Sequence, residues 1–292
     1  MTTTTRPEDA VRAVCDTLGL NLRGLAPLRA HATSVYHLPC EQAIVRVSPL
    51  AKYEAIANSI VLTRWLTRQG YPATEPLGLN QPVRHQNHVI TLWRHYPQSE
   101  RAQPTPDHLG RLLRRLHELP CPPLALPHYR PLASLRTTLE HSRHLSSEIQ
   151  TWLSQTTENL LDAYQRLSFP LGLGLIHGDA YPGNTLWDGS TVRLGDWDEA
   201  AIGPRELDLA NTHHGAVRFG RPQQLVDVFT HAYGYDLAAW PGSRILIAIR
   251  DFHTLGSFIR RAEAGDVNAT AQLEHRLATL RAGHHTARWD IF

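Results

Sequence analysis

The sequence predicts an α+β protein, with a small antiparallel sheet and one embedded helix followed by a larger, mainly helical region. Three observations lead to this prediction. Short segments rich in β-branched residues alternate with turns up to about residue 95. After the proline at position 97, apolar residues recur mostly at helical spacing. A short apolar segment and a hairpin pattern then interrupt the helices near residues 173–194.

The first region combines strands with helical segments. An amphipathic helix is expected over residues 7–20, and a second helix over residues 53–69, which ends at a glycine. Short strands are expected between residues 25 and 47, among them 35–38 and 43–47 with a turn at residues 39–42, and a further strand over residues 89–93. We therefore place a mainly β unit in residues 1–95.

The second region, residues 96–292, is mostly helical. Four leucines at helical spacing between residues 109 and 116 form a stripe that stops before a proline. Further helices are expected over residues 133–142, 147–167, 206–218, 223–233, 243–263 and 268–282. A strand at residues 173–176 and a hairpin at residues 185–194 lie between them.

Composition excludes several classes of protein. The 292 residues are 42% hydrophobic and 19% charged, which suits a folded globular chain. The formal net charge of +2 creates no large field for nucleic acid or an anionic membrane, so neither partner is expected. Lys52 is the sole lysine, which excludes the P-loop pattern and the S-x-x-K hydrolases.

The cysteines and the N-terminal segment bear on the cellular compartment in which the protein is expected. Three widely spaced cysteines form neither a metal pattern nor a disulfide framework, which is typical of a reducing environment. The threonine-rich N-terminus lacks the apolar stretch of a secretion signal. We therefore expect a cytoplasmic protein.

The most informative segment is H-G-D-A-Y-P-G-N at residues 177–184, followed by G-D-W-D at residues 195–198. It places Asp179 and Asn184 five positions apart, and the hairpin is expected to return Asp196 beside Asn184. Phosphoryl transfer from ATP to a hydroxyl needs such a set. One carboxylate takes the hydroxyl proton, while an amide oxygen and a second carboxylate hold Mg²⁺ on the phosphates. A lone H-G-D is more typical of a turn, but the preceding strand and the following hairpin favour the functional interpretation.

The pattern H-x-D-x-x-x-x-N followed by D-x-D resembles the catalytic and metal loops of the protein-kinase-like fold. The glycine at position 178 and the P-G-N at residues 182–184 are more similar to the aminoglycoside phosphotransferase and choline kinase family. Segments L-R-R-L-H at residues 113–117 and G-P-R-E-L-D-L-A at residues 203–210 also resemble this family. The resemblance covers most of the chain. It implies a two-lobed fold, with a nucleotide-binding lobe in residues 1–95 and a catalytic and acceptor-binding lobe in residues 96–292.

Roles follow for the carboxylates and the amide. Asp179 is the predicted catalytic base, which accepts or orients the acceptor hydroxyl. Asn184 and Asp196 are the predicted Mg²⁺ ligands, since both offer hard oxygen donors. Asp198 is predicted either to bind a second metal ion or to shape the acceptor site. The resemblance further implies that Asp208 is structural and anchors the catalytic loop through backbone N–H groups.

The nucleotide side departs from the kinase pattern at the residue that binds the α- and β-phosphates. A lysine normally stands on the third strand, paired with a glutamate on the next helix. Here Arg46 occupies the strand position and Glu54 lies on the helix after it. Arginine keeps the charge and can bind phosphate and carboxylate as a fork, so both residues are predicted to serve the nucleotide. The alternative is a surface arginine at the strand edge.

The phosphate-covering loop is the second departure, because residues 29–36 contain no glycine. Ser34 is a candidate for a phosphate contact in this loop. Leu92, Trp93 and Arg94 fall where the hinge between the lobes is expected, and their main-chain groups are predicted to pair with the purine.

The sequence therefore predicts an ATP- and Mg²⁺-dependent kinase of a small-molecule hydroxyl, acting as a monomer or homodimer. Aminoglycoside-like antibiotics and amino sugars are the first candidate acceptors, and choline, homoserine and macrolides are alternative acceptors. A nucleotide-binding pseudokinase is the alternative from another class; the glycine-free loop favours it and the intact metal and base residues oppose it. Protein kinase activity is disfavoured, because no A-P-E segment follows the motif. Acceptor-lining candidates are Trp197, Asp198, Glu199, Trp240 and Asp251.

Overall fold

The computed structural model describes residues 6–30, 33–98 and 101–290. The strands in this part of the chain are β1 Ala26–Ala30, β2 Ser34–Leu38, β3 Ala43–Pro49, β4 Val83–His85, β5 His88–Arg94, β6 Leu173–Ile176, β7 Thr185–Asp188, β8 Thr191–Leu194 and β9 Ala201–Pro204. The helices are α1 Pro7–Thr17, α2 Tyr53–Arg68, α3 Pro106–His117, α4 Ala133–His141, α5 Ser147–Gln165, α6 Glu206–Phe219, α7 Gln223–Tyr233, α8 Ser243–Glu263 and α9 Val267–Arg281.

These elements pack into two units that are not contiguous in sequence. The first unit contains Met1–Thr105, Pro120–Leu126 and Pro182–Ala200. The second contains Pro106–Leu119, Pro127–Tyr181 and Ala201–Phe292. One boundary therefore falls inside the H-G-D-A-Y-P-G-N segment, after Tyr181. The division of function between residues 1–95 and 96–292 stays a prediction.

A five-stranded antiparallel sheet forms the body of the first unit, in the order β1-β2-β3-β5-β4. Strand β3 lies in the middle, with Val45 opposite Tyr36 on β2 and opposite Leu92 on β5. Alternate β3 residues such as Val45 and Val47 are buried, as expected where one face of a sheet covers a core. Val11 and Val14 of α1 belong to the same apolar cluster, so the first helix packs on this sheet.

The β7–β8 hairpin belongs to this first unit. Leu194 donates its N–H to the carbonyl of Pro72, and its own carbonyl accepts from Thr74, at 2.9 Å in both cases. Arg193 adds ion pairs to Glu75 at 2.7 Å and to Asp188 at 2.6 Å. These contacts fix the end of the hairpin, where the predicted metal ligands follow.

The second unit is a group of helices with one two-stranded ribbon. Strand β6 pairs antiparallel with β9, so that Ile176 lies opposite Ala201. Helix α3 packs closely on α7 at Gly110, where an added Cβ would lie 2.7 Å from the carbonyl oxygen of Phe229. The buried leucine stripe of α3 is the one that the sequence indicated. Within the described residues, no helix combines the length and apolar character that a membrane span requires.

The predicted α+β class and the long helices are confirmed, with ends that shift by a few residues. Two strands were missed. β4 has three residues, too few for a periodic pattern. β9 has four, like the predicted β6, but it ends in a glycine and a proline, which are not typical of a strand. β9 also lies inside the G-P-R-E-L-D-L-A segment, which the sequence analysis treated only as a motif.

Candidate active site

The loop that carries Asp179 follows directly from β6 in the second unit. Gly178 has φ +83°, a left-handed conformation that favours glycine. The N–H groups of His177 and Gly178 donate to the two carboxylate oxygens of Asp208, at 2.7 and 2.8 Å. One buried carboxylate therefore determines the path of the backbone just before Asp179, which confirms the expected anchoring role of Asp208.

Asp208 is held in turn by its own partners. Its side chain is fully buried, and its Oδ2 lies 3.0 Å from Nε2 of His117. The other ring nitrogen of His117 lies 2.8 Å from the hydroxyl of Tyr233. Burial works against the charged form of Asp208, but the hydrogen bonds and the histidine outweigh it, and the pKa of this carboxyl lies below its ordinary value.

Asp179 itself contacts an arginine from helix α8. Nη2 of Arg250 donates to Oδ1 of Asp179 at 3.1 Å, with the arginine side chain 13% exposed and the aspartate 39% exposed. The sequence analysis missed Arg250. It lies 71 residues from Asp179 in the chain, and no local pattern connects the two.

The predicted metal ligands of the first unit share a different arginine. Nη2 of Arg46 donates to Oδ1 of Asp196 at 2.8 Å and to Oδ2 of Asp198 at 3.1 Å. Burial opposes the charge on Arg46, but the two carboxylates outweigh it and raise the pKa of the guanidinium. Asp196 adopts φ +63°, a conformation that aspartate tolerates better than most residues and that is enriched at functional sites.

The residues around Asp196 explain how it is held there. Trp197 is buried, donates its indole N–H to the carbonyl of Leu194 at 2.9 Å, and meets Tyr71 edge to face with ring centroids 5.8 Å apart. Gly195 donates its N–H to the carbonyl of Asn184 at 2.8 Å. The expectation that the hairpin returns the second motif beside Asn184 is therefore confirmed at the level of the backbone.

The side chains of Asn184, Asp196 and Asp198 fit a hard divalent cation. Asp196, Asp198 and Asn184 offer carboxylate and amide oxygens, the donors that Mg²⁺ prefers. Two carboxylates lie against one guanidinium, so their charge exceeds that of Arg46 by one. The donor set and its excess negative charge suit the predicted metal.

Arg46 and Glu54 do not form the expected pair. The ion pairs of Arg46 are with the two aspartates, whereas Glu54 is exposed in the first turn of α2. The expectation failed because the carboxylates that reach Arg46 lie 150 and 152 residues away in sequence. A nucleotide role for Glu54 stays a prediction.

The other predicted nucleotide contacts lie at the ends of two interior strands of the sheet, β2 and β5. Ser34 begins β2, and residues 31–32 of the predicted phosphate loop lie outside the described residues. Leu92, Trp93 and Arg94 are the last three residues of β5. The N–H and carbonyl of Leu92 already bond to the side-chain amide of Gln81, at 2.7 and 3.1 Å. A purine contact through Leu92 would require Gln81 to release these groups, and the hinge role of all three residues stays a prediction.

Three of the acceptor-lining candidates are committed to packing or to ion pairs. Asp251 is buried and accepts from Arg218 at 2.8 and 2.6 Å and from His214 at 3.0 Å. Trp240 packs on Phe169 with ring centroids 5.7 Å apart. Trp197 is buried as described above. Trp197 and Asp251 are buried, so their assignment to the acceptor lining is corrected. Trp240 is half-buried, and its assignment stays a prediction.

The fold is that of the kinase-like phosphotransferases. A model of the APH phosphotransferase enzyme family matches residues 8–246 of this chain, and the chain belongs to that family. No curated protein sequence gives a significant match.

Solved structures share the fold at low sequence identity. An amicoumacin kinase in complex with AMP-PNP, Ca²⁺ and Ami has a TM-score of 0.75 and 13% identity, with 96% of this chain and 95% of that chain covered. A choline/ethanolamine kinase family protein from Mesorhizobium loti has a TM-score of 0.67 and 18% identity, covering 95% and 94%. An aminoglycoside phosphotransferase from Streptomyces rimosus has a TM-score of 0.62 and 17% identity, covering 85% and 99%.

Proposed function

We propose that this protein transfers the γ-phosphate of Mg²⁺-bound ATP to a hydroxyl group of a small molecule. The observation that carries the proposal is the carboxylate pair Asp196 and Asp198, held together at 2.8 and 3.1 Å from one cationic group. Such a pair follows, after one hairpin, the loop that contains the proposed base and amide, and phosphoryl transfer uses this combination of groups.

Asp179 acts on the acceptor in this proposal. Its carboxylate accepts the hydroxyl proton as the acceptor oxygen forms a bond to the γ-phosphorus. The bond between that phosphorus and the β–γ bridging oxygen breaks, and ADP leaves with the electron pair. Because Asp208 fixes the two backbone N–H groups before Asp179, the carboxylate needs little further ordering to reach the hydroxyl.

The first unit binds the nucleotide in this proposal. Asn184 and Asp196 hold the metal, and Asp198 supplies a further carboxylate on the same cation site. When bound, Mg²⁺ neutralises charge on the phosphates during transfer. Arg46 lies among these ligands and is placed to contact the phosphates. The amicoumacin kinase structure, which contains AMP-PNP and Ca²⁺, supports a nucleotide with a divalent cation.

The acceptor is proposed from the family and its neighbours. Aminoglycoside-like antibiotics and amino sugars come first, since a neighbouring spectinomycin phosphotransferase was solved with ADP and spectinomycin, at a TM-score of 0.61 and 16% identity. Choline, homoserine and macrolides belong in the same panel. The alternative is a nucleotide-binding protein without transfer activity.

The test is acceptor-dependent ADP release with Mg²⁺-ATP across that panel, for the wild type, Asp179→Ala and a control. Asp162→Asn is the matched control, because Asp162 is an exposed aspartate on α5. We expect at least one acceptor to stimulate turnover, and Asp179→Ala to reduce it about 100- to 10,000-fold while the control retains it. Full turnover by Asp179→Ala would refute the mechanism, and failure of the wild type to bind Mg²⁺-ATP would refute the proposed function.

A further inference from the structure

The surroundings of Asp179 within the second unit are cationic. Within the described residues, the side chain of Arg250 donates one hydrogen bond, from Nη2 to Asp179, and its Nε is buried without a hydrogen-bond partner. A guanidinium carries five N–H donors in a rigid fork. Most of the binding capacity of Arg250 is therefore unused, and it lies directly beside the predicted base.

A second arginine lies near the same loop. Arg221 interacts electrostatically with Tyr181, two residues after Asp179, and its side chain is partly buried. Burial lowers the pKa of its guanidinium. In the part of the chain that the structure describes, no carboxylate forms an ion pair with Arg221. Its charge is thus not neutralised within the second unit.

His253, one helical turn after Arg250, also lies in an environment with an excess of positive charge. Burial, followed by the charges of Arg250, Arg260 and His214, lowers the pKa of His253 to about 4. The groups that act on His253 include three basic residues and no carboxylate.

The carboxylate next in sequence to Arg250 does not offset this charge. Asp251 points into the core, where Arg218 and His214 bind both of its oxygens. A polycationic acceptor would need carboxylates near the reacting hydroxyl, because like charges without counter-charges cost free energy. Asp179 is a single carboxylate, and Arg250 already neutralises it.

We propose that the acceptor carries an anionic group, a carboxylate or a phosphate, which Arg250 binds while Asp179 holds the hydroxyl. This inference rests on the proposed phosphotransferase function and changes the order of its acceptors, because it places anionic hydroxy compounds ahead of the cationic amino sugars. The anion and the hydroxyl then lie on opposite sides of the 3.1 Å contact between Nη2 of Arg250 and Oδ1 of Asp179. Arg250 is then a specificity residue, which favours hydroxy acids or phosphorylated hydroxy compounds over cationic amino sugars.

The test uses matched probes that differ in charge at one position. The pairs are glycerate and glycerol, glucuronate and glucose, glucose 6-phosphate and glucose, and homoserine and homoserinol, with kanamycin as a polycation. Binding to the full chain with Mg²⁺-AMP-PNP is measured by ligand-observed NMR, and turnover by ADP release. The variants are Arg250→Gln, Arg250→Lys and the control Arg244→Gln, since Arg244 is an exposed arginine on the same helix. Melting curves verify that each variant folds.

We expect the wild type to prefer the anionic member of at least one pair by about tenfold or more, in the range of a charge-assisted hydrogen bond. In Arg250→Gln, we expect the KM for the anionic member to rise, so that the preference is lost. Arg250→Lys should retain part of the preference, and Arg244→Gln should match the wild type. Comparison of the carboxylate pairs with the phosphate pair identifies the source of the anion.

Three results would overturn the inference: equal preference in wild type and Arg250→Gln, no detectable binding of any anionic probe, or better turnover of kanamycin or a neutral member. The last result would leave the proposed phosphotransferase intact. If the wild type does not bind Mg²⁺-ATP, the proposed function itself is refuted. Failure of the anionic-acceptor inference and failure of the proposed function are therefore distinguishable.

Discussion

Each unit holds its predicted functional carboxylates against one arginine, but the balance of charge differs. In the first unit, Arg46 is shared by Asp196 and Asp198, so one negative charge is left over. In the second unit, Arg250 faces Asp179 alone, and the groups around it are cationic. The first arrangement suits a divalent cation with phosphates, and the second suits a hydroxyl that is accompanied by an anion. This difference shows how the same residue types can serve two different ligands.

The largest effect that would break this comparison comes from Asp208, which orders the loop of the second unit. Asp208→Asn removes the buried charge that binds His117 and two backbone N–H groups. We expect the free energy of unfolding to fall by about 3 kcal/mol or more. Chemical denaturation measures it. Asp266→Asn, at a half-buried helix cap, is the control and is expected to cost about 1 kcal/mol or less, because asparagine also caps helices. A loss for Asp208→Asn no greater than that of the control would show that this anchor is dispensable.

Arg46 tests the first unit. Arg46→Ala leaves Asp196 and Asp198 without their shared cation and removes a predicted phosphate contact. We expect the KM for Mg²⁺-ATP to rise about 10- to 100-fold, and Arg46→Lys to recover part of the loss. Arg68→Ala, an exposed arginine at the end of α2, is the matched control in the steady-state assay. An unchanged KM in Arg46→Ala would remove Arg46 from the nucleotide site.

The smallest effect is a dependence of stability on pH. The folded-state pKa of His253 is about 4, below its ordinary value of 6.5, so the unfolded chain binds more protons between these values. The contribution of neutral His253 to the free energy of unfolding is therefore fully present above about pH 6.5, and it falls by about 1 to 2 kcal/mol as the pH drops to 5. His213 and His214, whose pKa values burial also lowers, act in the same direction.

The check is the free energy of unfolding across this pH range in His253→Asn, with the exposed His231→Asn as control. We expect His253→Asn to reduce the pH dependence of the free energy of unfolding and His231→Asn to leave that dependence unchanged. The same slope in both variants would contradict the cationic environment assigned to Arg250 and His253.

The sequence could predict what is encoded locally. Asp179, Asn184 and Asp196 lie within about twenty residues, after a strand and on either side of a hairpin, and both patterns are clear in the sequence. The arginines could not be assigned partners in this way. The contact from Arg46 to Asp196 spans 150 residues, and that from Arg250 to Asp179 spans 71 residues. Such contacts arise from tertiary packing, which neither periodicity nor spacing encodes.

The missed strands have a related explanation. β4 has three residues and β9 has four, and β9 is defined by its pairing with β6 rather than by its own pattern. Glu54 looked like the natural partner of Arg46 because of its position on α2, yet the exposed side chain leaves the arginine to the aspartates.

The most direct test of the contrast between the two units is the affinity for Mg²⁺-ATP, measured by calorimetry on the wild type, Asp179→Asn and Asp196→Asn. Asp196 belongs to the cation site, so we expect Asp196→Asn to weaken binding about tenfold or more. Asp179 serves the acceptor, so Asp179→Asn should bind Mg²⁺-ATP within about twofold of the wild type while losing phosphoryl transfer. Equal weakening by both substitutions, or none by Asp196→Asn, would contradict the account.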